Sequence, residues 1–335
     1  MAKADRYRRQ RILPEIGETG QRALSNSHVV VIGVGAVGGV SADLLVRAGV
    51  GHLRLVDRDV VELVNLQRQT LYSEEDLDCP KVEAAAARLR AINRSIEIEP
   101  VAKDLHAANV SGILRGTDLI VDGTDNLGTR YLLNEATLDA HLPFVYAGAV
   151  GTSGMVFAIR SPDTACFRCL SPTPPAPGAP PTCETAGILN ATSALVGSVQ
   201  AAESLRLLLG ERPSGDLLVV DAWRPEIQRI HVARRQGCPT CVGGEREFLG
   251  AKRTQVLASL CGGDTISLDP IRGDVDLETL GRRLGRIGVV HRAGGVLVAD
   301  VEGHHLTVFP DGRALIRGVA DETGARSVYA KYVGI

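Results

Sequence analysis

The stretch His28-Val29-Val30-Val31-Ile32-Gly33-Val34-Gly35-Ala36-Val37-Gly38 passes from a β-branched apolar run into a glycine pattern and on into an Ala/Leu/Val-rich segment that ends at Ala48-Gly49. That order reads as strand, tight turn and helix. A second strand over residues 53–56 ends at Asp57, so one βαβ unit closes within about 30 residues, as a right-handed parallel crossover requires. Gly33, Gly35 and Gly38 fit G-x-G-x-x-G, a turn that lets phosphate approach the free amides of a helix N-terminus. Asp57, at the end of the second strand, is placed to accept hydrogen bonds from ribose hydroxyls. Tight packing beside a surface aspartate is the plainer alternative, and the pattern does not say which nucleotide is bound.

Working outward, the alternation continues with a helix over 81–92, strands near 96–100 and 119–121, a helix over 127–140 and a strand at 144–146. It predicts an α/β fold with a Rossmann-like doubly wound sheet. Residues 171–182 are dense in Pro, Ala and Gly and read as a mobile loop leading into Cys183. A helix over 191–209 and strands at 217–221 and 226–232 close a first domain, residues 1–245, with Gly243-Gly244 opening a linker. Residues 254–335 read as a small α+β domain, with helices over 277–284 and 322–332 and strands near 295–300, 306–309 and 314–317. The Pro310-Asp311-Gly312 turn supports a hairpin between the last two strands.

The chain has 335 residues, long enough for a large core, and a formal charge of -2 from 37 basic and 39 acidic residues. Such a balance gives no bulk field for nucleic acid or an anionic membrane. The charged N-terminal segment lacks the apolar run of a secretory signal, and no stretch is apolar for the length of a membrane span, which predicts a cytoplasmic protein. Of the seven cysteines, four form two C-x-x-C pairs, Cys166/Cys169 and Cys238/Cys241. That points to thiolate chemistry in a reducing compartment rather than a disulfide framework. Two such knuckles make the closed S₄ tetrahedron that Zn²⁺ favours in structural sites, tying distant parts of the chain together. A redox role would need a nucleophilic cysteine at a helix N-terminus, which the Pro- and Arg-flanked pairs do not obviously supply.

The segment from Asp57 to Gln69 carries Asp59, Asn65 and Arg68 just beyond the crevice, and Lys81 opens the next helix. Redox chemistry on NAD needs no such cationic pair. Adenylation does, because attack of a carboxylate on the α-phosphorus of ATP builds charge on phosphoryl oxygens while pyrophosphate leaves. Asp125, in Asp122-Gly123-Thr124-Asp125-Asn126 at the end of another strand, suits Mg²⁺, which takes one or two carboxylates plus phosphate oxygens.

On these motifs the chain resembles the ThiF/MoeB/HesA family of adenylyltransferases, related to the activating enzymes of ubiquitin-like proteins. The likeness covers residues 6 to about 245. It rests on Arg6-Tyr7-Arg8-Arg9-Gln10, the glycine turn, Asn65-Leu66-Gln67-Arg68-Gln69, Lys81, Thr124-Asp125-Asn126 with Arg130 and Asn134, both cysteine pairs and Thr182-Cys183-Glu184. Departures are modest: Ala36-Val37 stands in the turn where the family usually has leucine second, and Cys79 replaces a common glycine before Lys81.

The resemblance implies nucleotide contacts at Gly35 and Asp57, phosphate contacts at Asn65, Arg68 and Lys81, and Mg²⁺ at Asp125. It further implies that Arg9 reaches the ATP of a neighbouring subunit in a homodimer, and that Cys183 can take up the activated acyl group covalently, although some family members adenylate without that cysteine. The implied substrate is a small ubiquitin-like sulfur-carrier protein ending in Gly-Gly, with a sulfurtransferase or a cysteine desulfurase as further partner. Cys261, in a loop without arginine, does not make the tail a sulfurtransferase. Two alternatives stay open: an adenylyltransferase of the same fold acting on a small molecule or tRNA, and an NAD-linked oxidoreductase.

Overall fold

The computed structural model describes residues 5–175, 182–250, 265–268 and 273–334. In the first strand, Val29 and Val31 pack on one face of the sheet and Val30 and Ile32 on the other. A strand that buries both faces must lie inside a sheet covered on two sides, which is why this run is apolar without alternation.

The elements that build the first sheet are α1 (Arg8–Arg11), α2 (Gly17–Asn26), β1 (His28–Ile32), α3 (Ala36–Ala48), β2 (His52–Val56), α4 (Lys81–Ile92), β3 (Glu97–Val101), α5 (Val110–Ile113), β4 (Leu119–Asp122) and α6 (Leu127–Asp139). They continue with β5 (Phe144–Val150), β6 (Ser153–Ile159), α7 (Phe167–Leu170), α8 (Cys183–Ala186), α9 (Asn190–Leu208), β7 (Asp216–Asp221) and β8 (Glu226–His231). The strand order is β3-β2-β1-β4-β5-β6-β7-β8. The first five strands run parallel in Rossmann order, and β5 through β8 then pair antiparallel, so the sheet is mixed. The expected α/β alternation holds through β5. It fails at Gly151-Thr152, a two-residue turn with Gly151 at φ +60° that folds β6 back on β5, where the sequence reading had no strand.

Local sequence explains the helix boundaries that matter. Gly49 ends α3 in the left-handed conformation, φ +88°, with its N–H on the Leu45 and Val46 carbonyls, a glycine C-cap. Asn126 caps α6 by accepting from the Thr129 N–H, as a short polar side chain does at that position. Helices α3, α4 and α9 share one core with the sheet, and α6 shares the other with the cysteine knuckles.

A second sheet holds β9 (Ile266–Leu268), β10 (Val289–Ala293), β11 (Val296–Val301), β12 (His304–Val308) and β13 (Ala314–Arg317), in the order β10-β11-β12-β13-β9 and antiparallel throughout. Helices α10 (Leu277–Leu284) and α11 (Glu322–Tyr332) cover one face. The turn at 310–312 does join β12 to β13. Cys261 and the end of the expected linker fall at 251–264, and the centre of the Pro-rich loop at 176–181, outside the described residues. The described part of that linker packs on α6, with Phe248 buried and the Phe248 and Leu249 N–H groups donating to Glu135 Oε2.

Candidate active site

In the order 3-2-1-4-5 the crevice opens between β1 and β4, at the carboxyl ends of the strands, where open α/β sheets take their ligands. Three loops meet there: the glycine turn after β1, the segment from Asp57 after β2, and the turn from Asp122 after β4.

The three glycines do different work. Gly33 sits at φ +82°, and a Cβ there would lie 2.7 Å from the Gly123 backbone; a Cβ on Gly38 would lie 1.9 Å from the Gly33 carbonyl oxygen. These two let the turn press against the β4 loop. Gly35 is the N-cap of α3, and a Cβ on it would meet nothing closer than Gln69 Nε2 at 3.6 Å. The space over Gly35 therefore faces the crevice, beside the unpaired amides of a 13-residue helix.

Asp57 accepts from the Val34 N–H at 2.9 Å through Oδ2 and from the Asp59 N–H at 2.9 Å through Oδ1. A carboxylate offers about four acceptor sites, so two remain open on Asp57. Tyr72 donates its hydroxyl to the Val34 carbonyl at 2.7 Å, so Val34 is held at both ends of its backbone. Nothing in the sequence pattern marks Tyr72, whose partner is 38 residues away.

The chain from Asp57 to Lys81 is an excursion closed at its base. Val61 N–H donates to the Cys79 carbonyl, Asp78 N–H to the Val61 carbonyl and Lys81 N–H to the Asp59 carbonyl. The closure sets Lys81 Nζ 3.2 Å from Asp59 Oδ2, with the lysine side chain only 8% exposed. Burial alone would lower the pKa of Lys81, but Asp59 and Asp57 outweigh it and hold the ammonium well above its ordinary range. Burial pushes Asp57 up against the pull of Lys81. Asp59 goes the other way: desolvation resists, yet Lys81 and Arg58 hold it below the usual carboxylate range. On the same excursion, Asn65 and Gln69 are buried, and their Oδ1 and Oε1 atoms have no hydrogen-bond donor among the described residues. Buried acceptors left open are costly unless a ligand supplies the donor.

Asp122 is fully buried, accepts from the Thr124 N–H and hydroxyl, and pairs with Arg130 Nε at 3.1 Å. It anchors the turn that carries Asp125 out to the surface. Asp125 interacts electrostatically with Lys81, Arg130 and Cys183. Cys183, the first residue of α8, lies with Sγ 3.6 Å from the Ala149 carbonyl, and burial raises its thiol pKa against the opposing effect of Arg68. Arg68 is bonded to the Val64 carbonyl at 2.9 Å. The structure thus brings Asp57, Lys81, Arg68, Asp125 and Cys183 to one edge of the sheet.

Arg9 is the exception. It is exposed on α1, which docks at the far end of α3 through the Gln10 Nε2 bond of 2.8 Å to the Ala48 carbonyl. The 13 residues of α3 span about 20 Å at 1.5 Å per residue, which separates Arg9 from the crevice of its own chain.

Away from the crevice, the sulfurs of Cys166, Cys169, Cys238 and Cys241 lie within 4.8 Å of one another. Three of the separations are 3.9, 3.7 and 3.6 Å. Metal–sulfur bonds of about 2.3 Å in a tetrahedron give edges of about 3.8 Å, so the cluster can coordinate a metal. Asn134 Oδ1 accepts from the Phe167 N–H at 2.8 Å, fixing one knuckle to α6.

No helix among the described residues is long and apolar enough to cross a membrane. The ThiF family model matches residues 7–240. The sulfur carrier protein ThiS adenylyltransferase of Bacillus subtilis is 37% identical over 98% of this chain and 99% of its own length. The sulfur carrier protein adenylyltransferase of Thermus thermophilus is 42% identical over 71% of this chain and 90% of its own. Among solved structures, E. coli MccB with ATP superposes with a TM-score of 0.62 at 20% identity, covering 72% of this chain and 75% of that one, a likeness of fold.

Proposed function

The chain belongs to the ThiF family, and from that premise we propose that it uses ATP to adenylate the C-terminal carboxylate of a small ubiquitin-like sulfur-carrier protein, releasing pyrophosphate. The observation that carries this reading is the buried, charged Lys81, held among Asp57, Asp59 and Asp125 beside a glycine turn open to a phosphate. A dinucleotide oxidoreductase has no use for a fixed cation there, whereas a leaving pyrophosphate does.

In this reading the nucleotide lies over Gly35 with its ribose on Asp57, and Arg68, Lys81 and the side-chain N–H groups of Asn65 donate to the phosphates. The carrier's flexible Gly-Gly end enters the crevice, and its carboxylate attacks the α-phosphorus in line with the leaving pyrophosphate. Orientation and charge stabilisation supply most of the rate. Asp125 is the residue to hold Mg²⁺, which when bound would neutralise phosphate charge. The four cysteines suit Zn²⁺ in a structural role, since a closed S₄ set leaves no open position. Arg9 acts on the crevice of a second copy in a homodimer, where the distance along α3 is no obstacle. Cys183 is an acceptor for the acyl group: after pyrophosphate has left, its thiolate attacks the carbonyl of the acyl adenylate and AMP departs as the acyl–phosphate bond breaks, ahead of sulfur delivery by a sulfurtransferase or cysteine desulfurase. The site belongs to the unit 1–245, and the protein works in the cytoplasm.

Exchange of labelled pyrophosphate into ATP, dependent on a Gly-Gly-ended carrier, tests the proposal. Lys81→Ala is expected to lower exchange by at least about 100-fold, the scale of losing one preorganised charge at a transition state, with metal content unchanged. Undiminished exchange would remove the phosphate assignment. Exchange with no carrier present would favour a small-molecule substrate.

A further inference from the structure

The central strands of the second sheet are apolar on both faces. Leu297, Ala299 and Val301 face α10 and α11, whereas Val296 and Val298 of the same strand join Phe309, Leu315 and Val60 in a separate apolar cluster. Val60 belongs to the excursion that carries the phosphate residues. Contact is close as well as apolar: the Gly295 N–H donates to Glu83 at 2.8 Å, and a Cβ on Gly294 would lie 2.4 Å from that carboxylate. The tail is thus seated on the outer wall of the crevice.

Arg313, at the end of the β12–β13 turn, is 2% exposed, and its guanidinium stacks 3.5 Å from the centre of the Phe309 ring. Nη1 donates to the Arg58 carbonyl at 2.6 Å and Nη2 to the Ala102 carbonyl at 3.1 Å. One planar fork thereby grips the chain where it leaves β2 and β3, two neighbouring strands. The gripped peptide between Arg58 and Asp59 has a second end: its N–H is the Asp59 donor to Asp57 Oδ1. The other oxygen of Asp57 takes the Val34 N–H in the glycine turn. A continuous hydrogen-bonded line therefore runs from the tail guanidinium through one peptide and one carboxylate to the turn, and links of that kind polarise one another. Burial lowers the Arg313 pKa to about 10 against the support of Asp311, Asp59, Asp104 and Asp57, which leaves it charged at neutral pH.

We propose that Arg313 is a positioning residue for the nucleotide site: from the second sheet it fixes the Arg58–Asp59 peptide and so aims the Asp57 carboxylate at the ribose. The proposal rests on the adenylation reading above. It gives the tail a role in that reaction, the bracing of the ribose side of the crevice. Lysine cannot substitute, because a single ammonium lacks the rigid fork that spans two carbonyls.

The test compares binding of a non-hydrolysable ATP analogue and its 2′-deoxy counterpart, with Mg²⁺, to the full-length protein, and carrier-dependent exchange at saturating ATP. Wild type is expected to favour the ribonucleotide by about tenfold or more, the scale of a hydrogen bond to a charged group. Arg313→Lys is expected to weaken ribonucleotide binding about tenfold and bring the preference close to one. Exchange at saturating ATP should stay within about threefold, with the unfolding temperature near that of wild type. Glu83→Gln, at the same interface but off the line to Asp57, should keep the preference. An Arg313→Lys protein that still discriminates overturns the proposal, as does one that loses both nucleotides equally together with thermal stability. A wild type that binds neither analogue sinks the adenylation reading itself, a separate and recognisable result.

Discussion

Val34 shows how the site is tuned by single groups. Asp57 holds its N–H and Tyr72 its carbonyl, so the residue between Gly33 and Gly35 has no freedom to tilt. Tyr72→Phe keeps the ring and deletes one donor, leaving a buried carbonyl open. The expected cost is about 1–2 kcal/mol of stability, read as a lower denaturation midpoint with unchanged slope, together with weaker ATP binding. Unaltered affinity would show that the turn keeps its shape without the hydroxyl. The glycines and Asp57 were legible in the sequence because their spacing along one βαβ unit is itself the signal. Tyr72 and Arg313 were not, since each acts on a backbone atom of a distant segment, and backbone acceptors carry no residue type. Gln200 is another of that kind: its amide reaches the Asp122 and Val145 carbonyls from 78 and 55 residues away.

Elements were readable to the extent that their environment was uniform. Parallel strands covered on both faces announce themselves as apolar runs, and β1 and β4 were found for that reason, whereas β2, which carries Arg54, was found from its place after the glycine turn and helix. Strand β10 was missed because it is a sheet edge whose side chains are largely exposed, Val289 to 69%, so no apolar face marks it. Strand β6 was missed for a different reason: alternation of strand and helix presupposes crossovers, and a hairpin breaks that premise. The cysteine knuckles were legible as pairs, but not the device that sets them, Asn134 on α6 receiving the Phe167 N–H. Their four sulfurs crowd a buried pocket in which burial and the neighbouring thiols raise the Cys166 pKa, a cost a divalent cation relieves. Cys169→Ser is expected to lower bound metal from one ion per chain to well below half and to lower the unfolding temperature, by the coupling of metal binding to folding. Full metal retention, or metal loss without any thermal effect, would show that the cluster is not a structural tie.

At the scale of the molecule, the geometry of α3 turns Arg9 into a question about assembly. The helix stands between Arg9 and the glycine turn at its opposite end, so the proposed action of Arg9 on ATP is one across a dimer. The arrangement makes a definite prediction for mixtures. Arg9→Ala and Lys81→Ala homodimers should each be almost inactive, one lacking the donor in trans and the other the cation in the crevice. When subunits exchange at equal concentrations, half of the dimers become heterodimers. In each of these, one crevice carries both lesions, while the other combines an intact Lys81 with an intact Arg9 from its neighbour. Recovery of about a quarter of wild-type exchange is therefore expected for a two-fold dimer, rising with the time allowed for subunit exchange. If Arg9 worked within its own chain, every crevice in the mixture would keep one lesion and no activity would return. The sequence could raise this possibility only through the family it resembles, because a basic cluster near an N-terminus looks the same whether it is solvated or reaches a neighbour. What the fold adds is the length of α3, which sets Arg9 apart from the crevice of its own chain and makes the mixing experiment decisive.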